Sequence, residues 1–223
     1  MEQGPRALNL TNEELRAMFQ DRPFAFAPGE QWRYNNSGYL LLGMVIEAAS
    51  GTSYRDYVAD RLFRPNGLTN SSYCSNLPTT PLHANGYERA YGEFAKAPYV
   101  SMNYPGGAGA LCSTVLDLLS WSSALRSGRV VSIESYEQMV TPATLNRGDT
   151  VPYGFGLELR PRRGQRRISH SGGIEGFASH LAYYDESDLD VVVLSNTPGP
   201  HVGSIVRNIA SWTLDPAPVP SSR

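Results

Sequence analysis

The chain has 223 residues, 41% of them hydrophobic and 18% charged, which is the composition of an ordinary globular protein with room for a sizeable core. A net charge of −2 and a pI near 6.1 argue against a nucleic-acid partner, which favours a basic footprint. No basic stretch followed by an apolar one opens the chain, and no run reaches membrane-spanning length, so neither a signal peptide nor a membrane segment is expected and the compartment stays open.

Thr11-Asn12-Glu13-Glu14 reads as a capping box and predicts a helix to about Gln20, with Leu15, Met18 and Phe19 turned inward. Pro23, Pro28 and Gly29 make 21–37 a loop. Gly38 to Ser50 is apolar almost all round, which predicts a buried helix stopped by Gly51. Ser53 caps an amphipathic helix with Tyr54, Tyr57, Val58 and Leu62 on one face, ending before Pro65. Residues 66–111 have weak periodicity and read as long loops with short strands, a pattern that in ordered proteins often borders a site. Ser113 or Thr114 starts another helix, with Val115, Leu116, Leu118, Leu119, Trp121 and Leu125 as its buried side and Gly128 at its end. A short helix over Ser132 to Val140 follows.

The period then changes. Tyr153 to Arg160 is strand-like, Arg167 to His170 is a short strand, and Gly176 to Tyr184 with Leu189 to Ser195 form a hairpin about Asp185-Glu186-Ser187-Asp188. A helix over Val202 to Leu214 closes the pattern. The expected class is α+β: a mostly helical region over 1–150, an antiparallel sheet with a packed C-terminal helix over 151–214 in the same domain, and a disordered tail over 215–223.

Cys74 and Cys112 lack metal-ligand spacing and read most simply as two thiols, with a disulfide left open. His83, His170, His180 and His201 form no metal cluster, and no metal or cofactor is expected.

Two stretches carry chemistry. In Tyr34-Asn35-Asn36 a phenol and a carboxamide stand two residues apart where a loop enters a helix, so both can face one cleft. In His170-Ser171-Gly172-Gly173 an imidazole, a hydroxyl and two glycines end a strand, and glycine N–H groups there can serve an oxyanion. The plain alternatives are a helix cap at Asn36 or Ser37 and an ordinary glycine-rich turn.

In this order the stretches resemble the serine β-lactamase and penicillin-binding-protein superfamily, in particular the class C β-lactamase-like hydrolases. The run from Phe26 to Tyr39 is similar to that family's Pro-Gly turn and Tyr-x-Asn motif. Gly106 to Leu111 with Ser113 and Asp117 resembles its glycine-rich entry to the next helix, and His170-Ser171-Gly172 stands where it has Lys-Thr-Gly or His-Thr/Ser-Gly. The resemblance implies a partial β-lactamase/transpeptidase-like fold. It also implies Tyr34 as general base or proton relay, Asn36 as a group that hydrogen-bonds the substrate's amide or carbonyl, and His170 with Ser171 as groups that bind or polarise the substrate beside Gly172, with Tyr34, Asn36 and His170 as the catalytic set. Gly173 N–H would be half of the oxyanion hole. A phenol titrates near about 10, so that role for Tyr34 calls for a cation nearby.

That family's nucleophile lies in Ser-x-x-Lys, where one helical face carries the serine and the amine that takes its proton. Lys96 is the single lysine of this chain, and Glu93 stands three residues before it. The chain is therefore expected to lack the N-terminal segment bearing the nucleophile. The leading expectation is a serine hydrolase acting on a small ester, β-lactam or D-amino-acid peptide, esterase-like because His170 replaces a lysine. A second expectation is a non-catalytic binding or complementing fragment of that fold. A nucleophilic Ser37 or Ser171 ranks last, since neither has a lysine partner and Ser171 faces away from its neighbour His170.

Overall fold

Short polar side chains start most of the helices by taking up amides that would otherwise lack a partner. The computed structural model describes residues 5–74, 83–90 and 92–214. Helix α1 (Asn12–Ala17) opens on the expected capping box: Thr11 Oγ1 accepts from Glu14 N–H, and the Glu14 carboxylate accepts from Thr11 N–H, which holds the Glu14 carboxyl below its usual range. α1 is shorter than the sequence predicts, and Met18 beyond it is exposed. Asn35 caps α2 (Asn36–Ser50) by accepting from Gly38 N–H, and Gly51 ends it at a left-handed φ of 70°. Ser53 caps α3 (Tyr54–Tyr57), which continues as a wide-turn segment, Val58–Phe63.

The region expected to be loops holds β1 (Ser72–Tyr73), the hairpin β2 (Tyr87–Ala90) and β3 (Glu93–Lys96), and β4 (Leu111–Cys112), which pairs with β1. Thr114 caps α4 (Val115–Arg126) and Ser132 caps α5 (Ile133–Met139). The short strands β5 (Ala143–Thr144) and β6 (Thr150–Val151) pair with each other. The main antiparallel sheet contains β7 (Glu158–Leu159), β8 (Arg167–Ile174), β9 (Phe177–Tyr184) and β10 (Leu189–Ser195) in the order β10-β9-β8-β7. Helix α6 (His201–Leu214) completes the described chain. The tail expected over 215–223 lies outside the described residues.

Strand alternation assigns the two faces of this sheet. Ile168 and Tyr183 pair across β8 and β9 and pack with Leu125 of α4, Tyr136 of α5, Val140 and Leu159. One residue on, Ser169 pairs with Ala182, and Ala182 packs with Tyr184, Val191 and, from α6, Val206 and Ala210. The sheet thus lies between α4/α5 and α6. Arg126 of α4 ties that arrangement together: its guanidinium donates to both carboxylate oxygens of Asp190 on β10 at 3.2 and 2.9 Å and stacks 3.5 Å from the Tyr183 ring centroid.

Three expectations are corrected. Tyr153 to Arg160 is not one strand; only Glu158–Leu159 pairs with β8, because Gly154 and Gly156 turn the chain first, Gly156 at a φ of 74°. Cys74 and Cys112 are not thiols but a disulfide that crosses the β1–β4 pair. The apolar helices are not buried all round. Leu41, Leu42, Val45, Ala48 and Ala49 of α2 are exposed, as are Val115 and Leu116 of α4, because the Gly106-Gly107 turn and Tyr54 of α3 cover only the Leu40/Gly43 side of α2. Among the described residues no helix is long and apolar enough to cross a membrane.

Two outcomes follow from this packing. The disulfide closes a separation of 38 residues, so reduction or C74S/C112S should lower the unfolding free energy by about 4 kcal/mol in urea titrations. The exposed α2 stripe should drive self-association of the isolated chain. The double change Leu42→Glu and Val45→Glu should reduce it in sedimentation velocity while altering stability by no more than about 0.5 kcal/mol, since both side chains are already in solvent.

Candidate active site

The loop before α2 and the middle of β8 meet at a cluster of aromatic rings. Asn35 acts as the cap of α2, so the Asn36 carboxamide is not used for capping and makes no hydrogen bond among the described residues. Tyr34, just before the cap, is 49% exposed and lies with its ring centroid 6.0 Å from that of His170 and 6.3 Å, edge-on, from that of Tyr153. Trp32 also packs against Tyr153, at 5.2 Å.

His170 is held by both ring nitrogens. Nδ1 lies 2.7 Å from the Ser171 carbonyl oxygen and Nε2 lies 2.9 Å from the Tyr153 hydroxyl. Burial pushes the Tyr153 phenol well above its ordinary range, and Tyr39, Tyr34 and Glu158 add to the effect. Burial, and then the nearby Tyr34, raises Tyr39 in the same direction. Two of the phenols gathered here are therefore held in their neutral, donating form. Lys96 stands elsewhere, on β3 opposite Tyr87. Among the described residues no three His, Cys, Asp or Glu side chains gather to hold a metal ion.

Of the residues expected from the sequence, Tyr34 and His170 come together although they belong to the two ends of the chain, and Asn36 follows Tyr34 at the first position of α2. Ser171 does not join them. Its cross-strand partner is His180, on the α6 face, while Ile168 and His170 share the face turned to α4 and α5. Ser171 meets His170 only through its backbone carbonyl. Gly172 and Gly173 are exposed on the part of β8 that β7 leaves unpaired, since β7 reaches only Ile168 and Ser169. A cavity of about 360 Å³ adjoins both glycines, with Arg6, Glu88, Glu175 and Phe177 on its other walls; Tyr34 and His170 do not line it. A Cβ at Gly172 would lie 2.3 Å from Ser179 Oγ, so the strand passes Ser179 closely there only as glycine.

Tyr153 was not among the expected site residues. Reading Tyr153-Gly154-Phe155-Gly156 as strand hid it, whereas an aromatic followed by alternating glycines is also the mark of a tight turn that holds its first side chain inward. A Cβ at Gly154 would lie 2.0 Å from the Met139 carbonyl oxygen, and one at Gly156 would lie 3.1 Å from the Tyr39 hydroxyl. These close approaches place Tyr153 against His170.

This arrangement can hold and pass protons and can leave a strand edge open to an extended ligand. The sequence matches the Beta-lactamase family over residues 2–213. Penicillin-binding protein 4* of Bacillus subtilis (strain 168) is 33% identical in an alignment of 202 positions that covers 84% of this chain and 43% of that protein. D-aminopeptidase of Gluconobacter oxydans (strain 621H) is 25% identical over 184 residues, 82% of this chain and 35% of that protein. The chain therefore spans less than half the length of these two relatives. The octameric penicillin-binding protein homologue from Pyrococcus abyssi superposes with a TM-score of 0.81 at 29% identity, covering 94% of this chain and 48% of that one. The helix-and-sheet arrangement is thus that of the penicillin-binding proteins, and with a match that runs through both the Tyr34 and the His170 stretches, this chain belongs to the Beta-lactamase family.

Proposed function

We propose that the chain is the Tyr- and His-bearing part of a serine hydrolase that moves the acyl group of a D-amino-acid amide or ester to a serine hydroxyl and then to water. The observation that carries this reading is the meeting of Tyr34 and His170 beside the run of β8 that holds Gly172 and Gly173, paired with β9 on one side and with no described strand on the other. Tyr34 accepts or relays the nucleophile's proton, and Asn36 hydrogen-bonds the substrate's amide or carbonyl. An extended substrate lies along β8, where Gly173 N–H faces the developing oxyanion. Ser171 acts there through its backbone rather than its hydroxyl. The relative named as a D-aminopeptidase supports the D-amino-acid side of the reading. Histidine in place of lysine at position 170 supports an uncharged ester or amide over a substrate anchored by a carboxylate.

The nucleophilic serine and its lysine come, in this proposal, from a further polypeptide segment. No serine in this chain stands three residues before a lysine. The exposed stripe Leu41, Leu42, Val45, Ala48 and Ala49 begins within two turns of Tyr34, so an apolar helix seated on it would present side chains to the phenol.

The test is to treat the chain with a fluorophosphonate probe, alone and mixed with a synthetic apolar helical segment that carries a Ser-x-x-Lys sequence, and to read adducts by intact mass. The expected result is no adduct on the chain alone and a serine adduct on the added segment, formed about 100-fold more slowly with Tyr34→Phe. A stoichiometric serine adduct on the chain alone would refute the placement of the nucleophile. Saturable binding of a D-amino-acid amide by the mixture with no adduct or turnover would instead support a non-catalytic binding module, the reading that the absence of Ser-x-x-Lys favours.

A further inference from the structure

We infer that Tyr153 is a positioning residue for His170: its hydroxyl fixes the imidazole as the Nδ1–H tautomer, with Nε2 as a hydrogen-bond acceptor. The inference rests on the reading of His170 as a group of the active site and says in which chemical form it stands there.

The hydrogen bonds decide the form. A backbone carbonyl oxygen can only accept, so the 2.7 Å contact with Ser171 O requires a proton on Nδ1. In the neutral ring Nε2 is then a bare lone pair, and the group 2.9 Å from it is the Tyr153 hydroxyl, which must donate. Burial of the Tyr153 ring, 8% exposed, keeps that phenol a donor, and the neighbouring Tyr34 and Tyr39 oxygens act in the same direction. Trp32 and the edge-on Tyr34 both pack against the Tyr153 ring, and the Tyr153 and His170 rings cross at 75°.

A histidine so held differs from a lysine at the same position. With Nδ1–H turned to the backbone and Nε2 facing a phenol, His170 presents no free N–H to a substrate carboxylate, and its one basic nitrogen is reached through Tyr153. The site therefore suits substrates that are uncharged where they meet β8. Tyr153 determines this together with the Ser171 carbonyl: the carbonyl holds the proton on Nδ1 while the phenol occupies Nε2 as a donor, and without the phenol Nε2 is open, so that the other tautomer and a turned ring compete.

Both readouts are made on the chain itself and need neither turnover nor an added segment, so they stand or fall apart from the nucleophile's source. Long-range ¹H–¹⁵N spectra at neutral pH should show His170 with a pyrrole-type Nδ1 and a pyridine-type Nε2. In Tyr153→Phe the Nε2 resonance should move towards the pyrrole-type range as the other tautomer fills, and diethyl pyrocarbonate should modify His170 faster, as read by peptide mass. Tyr183→Phe removes a hydroxyl that instead bonds Asp188 and should leave both readouts unchanged. An unaltered His170 spectrum and modification rate in folded Tyr153→Phe would overturn the inference. Should that variant fail to fold, the wild-type spectrum decides: Nε2–H, or a pyridine-type Nε2 at the position of a nitrogen that accepts no hydrogen bond, sinks the inference, and Nδ1–H with Nε2 displaced from that position by a received hydrogen bond upholds it.

Discussion

A part-buried guanidinium fixes how the helical region meets the sheet across their shared apolar cluster. Arg126 reaches from α4 to Asp190 on β10, with Ser122 Oγ donating to the same carboxylate, and covers the Tyr183 ring. Removing two charges from water is costly, and such a pair holds only when its geometry satisfies the donors and acceptors it buries. Here two parallel N–H···O bonds and a cation–π stack meet that condition. Because Tyr183 pairs with Ile168, the same contact sets which face of β8 is turned towards α4 and α5, and hence on which face His170 lies.

The site that results is rich in neutral donors and poor in cations. Burial raises the Tyr39 and Tyr153 phenols, and each is further disfavoured as an anion by the phenols beside it. In such a cluster the phenols serve as hydrogen-bond donors rather than as anions. That is a different electrostatic setting from an amine beside a phenol, and it connects the choice of histidine at position 170 to the kind of substrate the proposal favours.

The exposed surfaces share one physical character. β10 is the outer strand of its sheet, exposes Leu194, and among the described residues no strand pairs with its outer edge. α6 exposes Ile205 and Trp212, α2 its leucine and valine stripe, and α4 Leu116 at 73% exposure. Unpaired edges and contiguous apolar faces favour association with another polypeptide. They agree with the proposal that further chain covers α2 next to Tyr34.

The local signals were legible because they depend on neighbours in sequence. Thr11, Ser53, Thr114 and Ser132 cap helices where a hydroxyl three residues ahead of an amide predicts it, and the β9–β10 hairpin follows from alternation about a polar turn. The two chemical stretches were also visible, since Tyr34-Asn35-Asn36 and His170-Ser171-Gly172 are runs of adjacent residues. What sequence could not supply is anything set by distant partners. An apolar helix such as α2 reads as buried whether or not something covers it, because hydrophobicity records a preference and burial needs a neighbour. Cys74 and Cys112 become a disulfide only because β1 and β4 pair. The hydrogen bond from Tyr153 to His170 arises where two glycine turns and a strand converge. Sequence alone determined which side chains carry chemistry; tertiary structure decided which of them meet, since a hydrogen bond at 2.9 Å depends on the packing of every element between its partners.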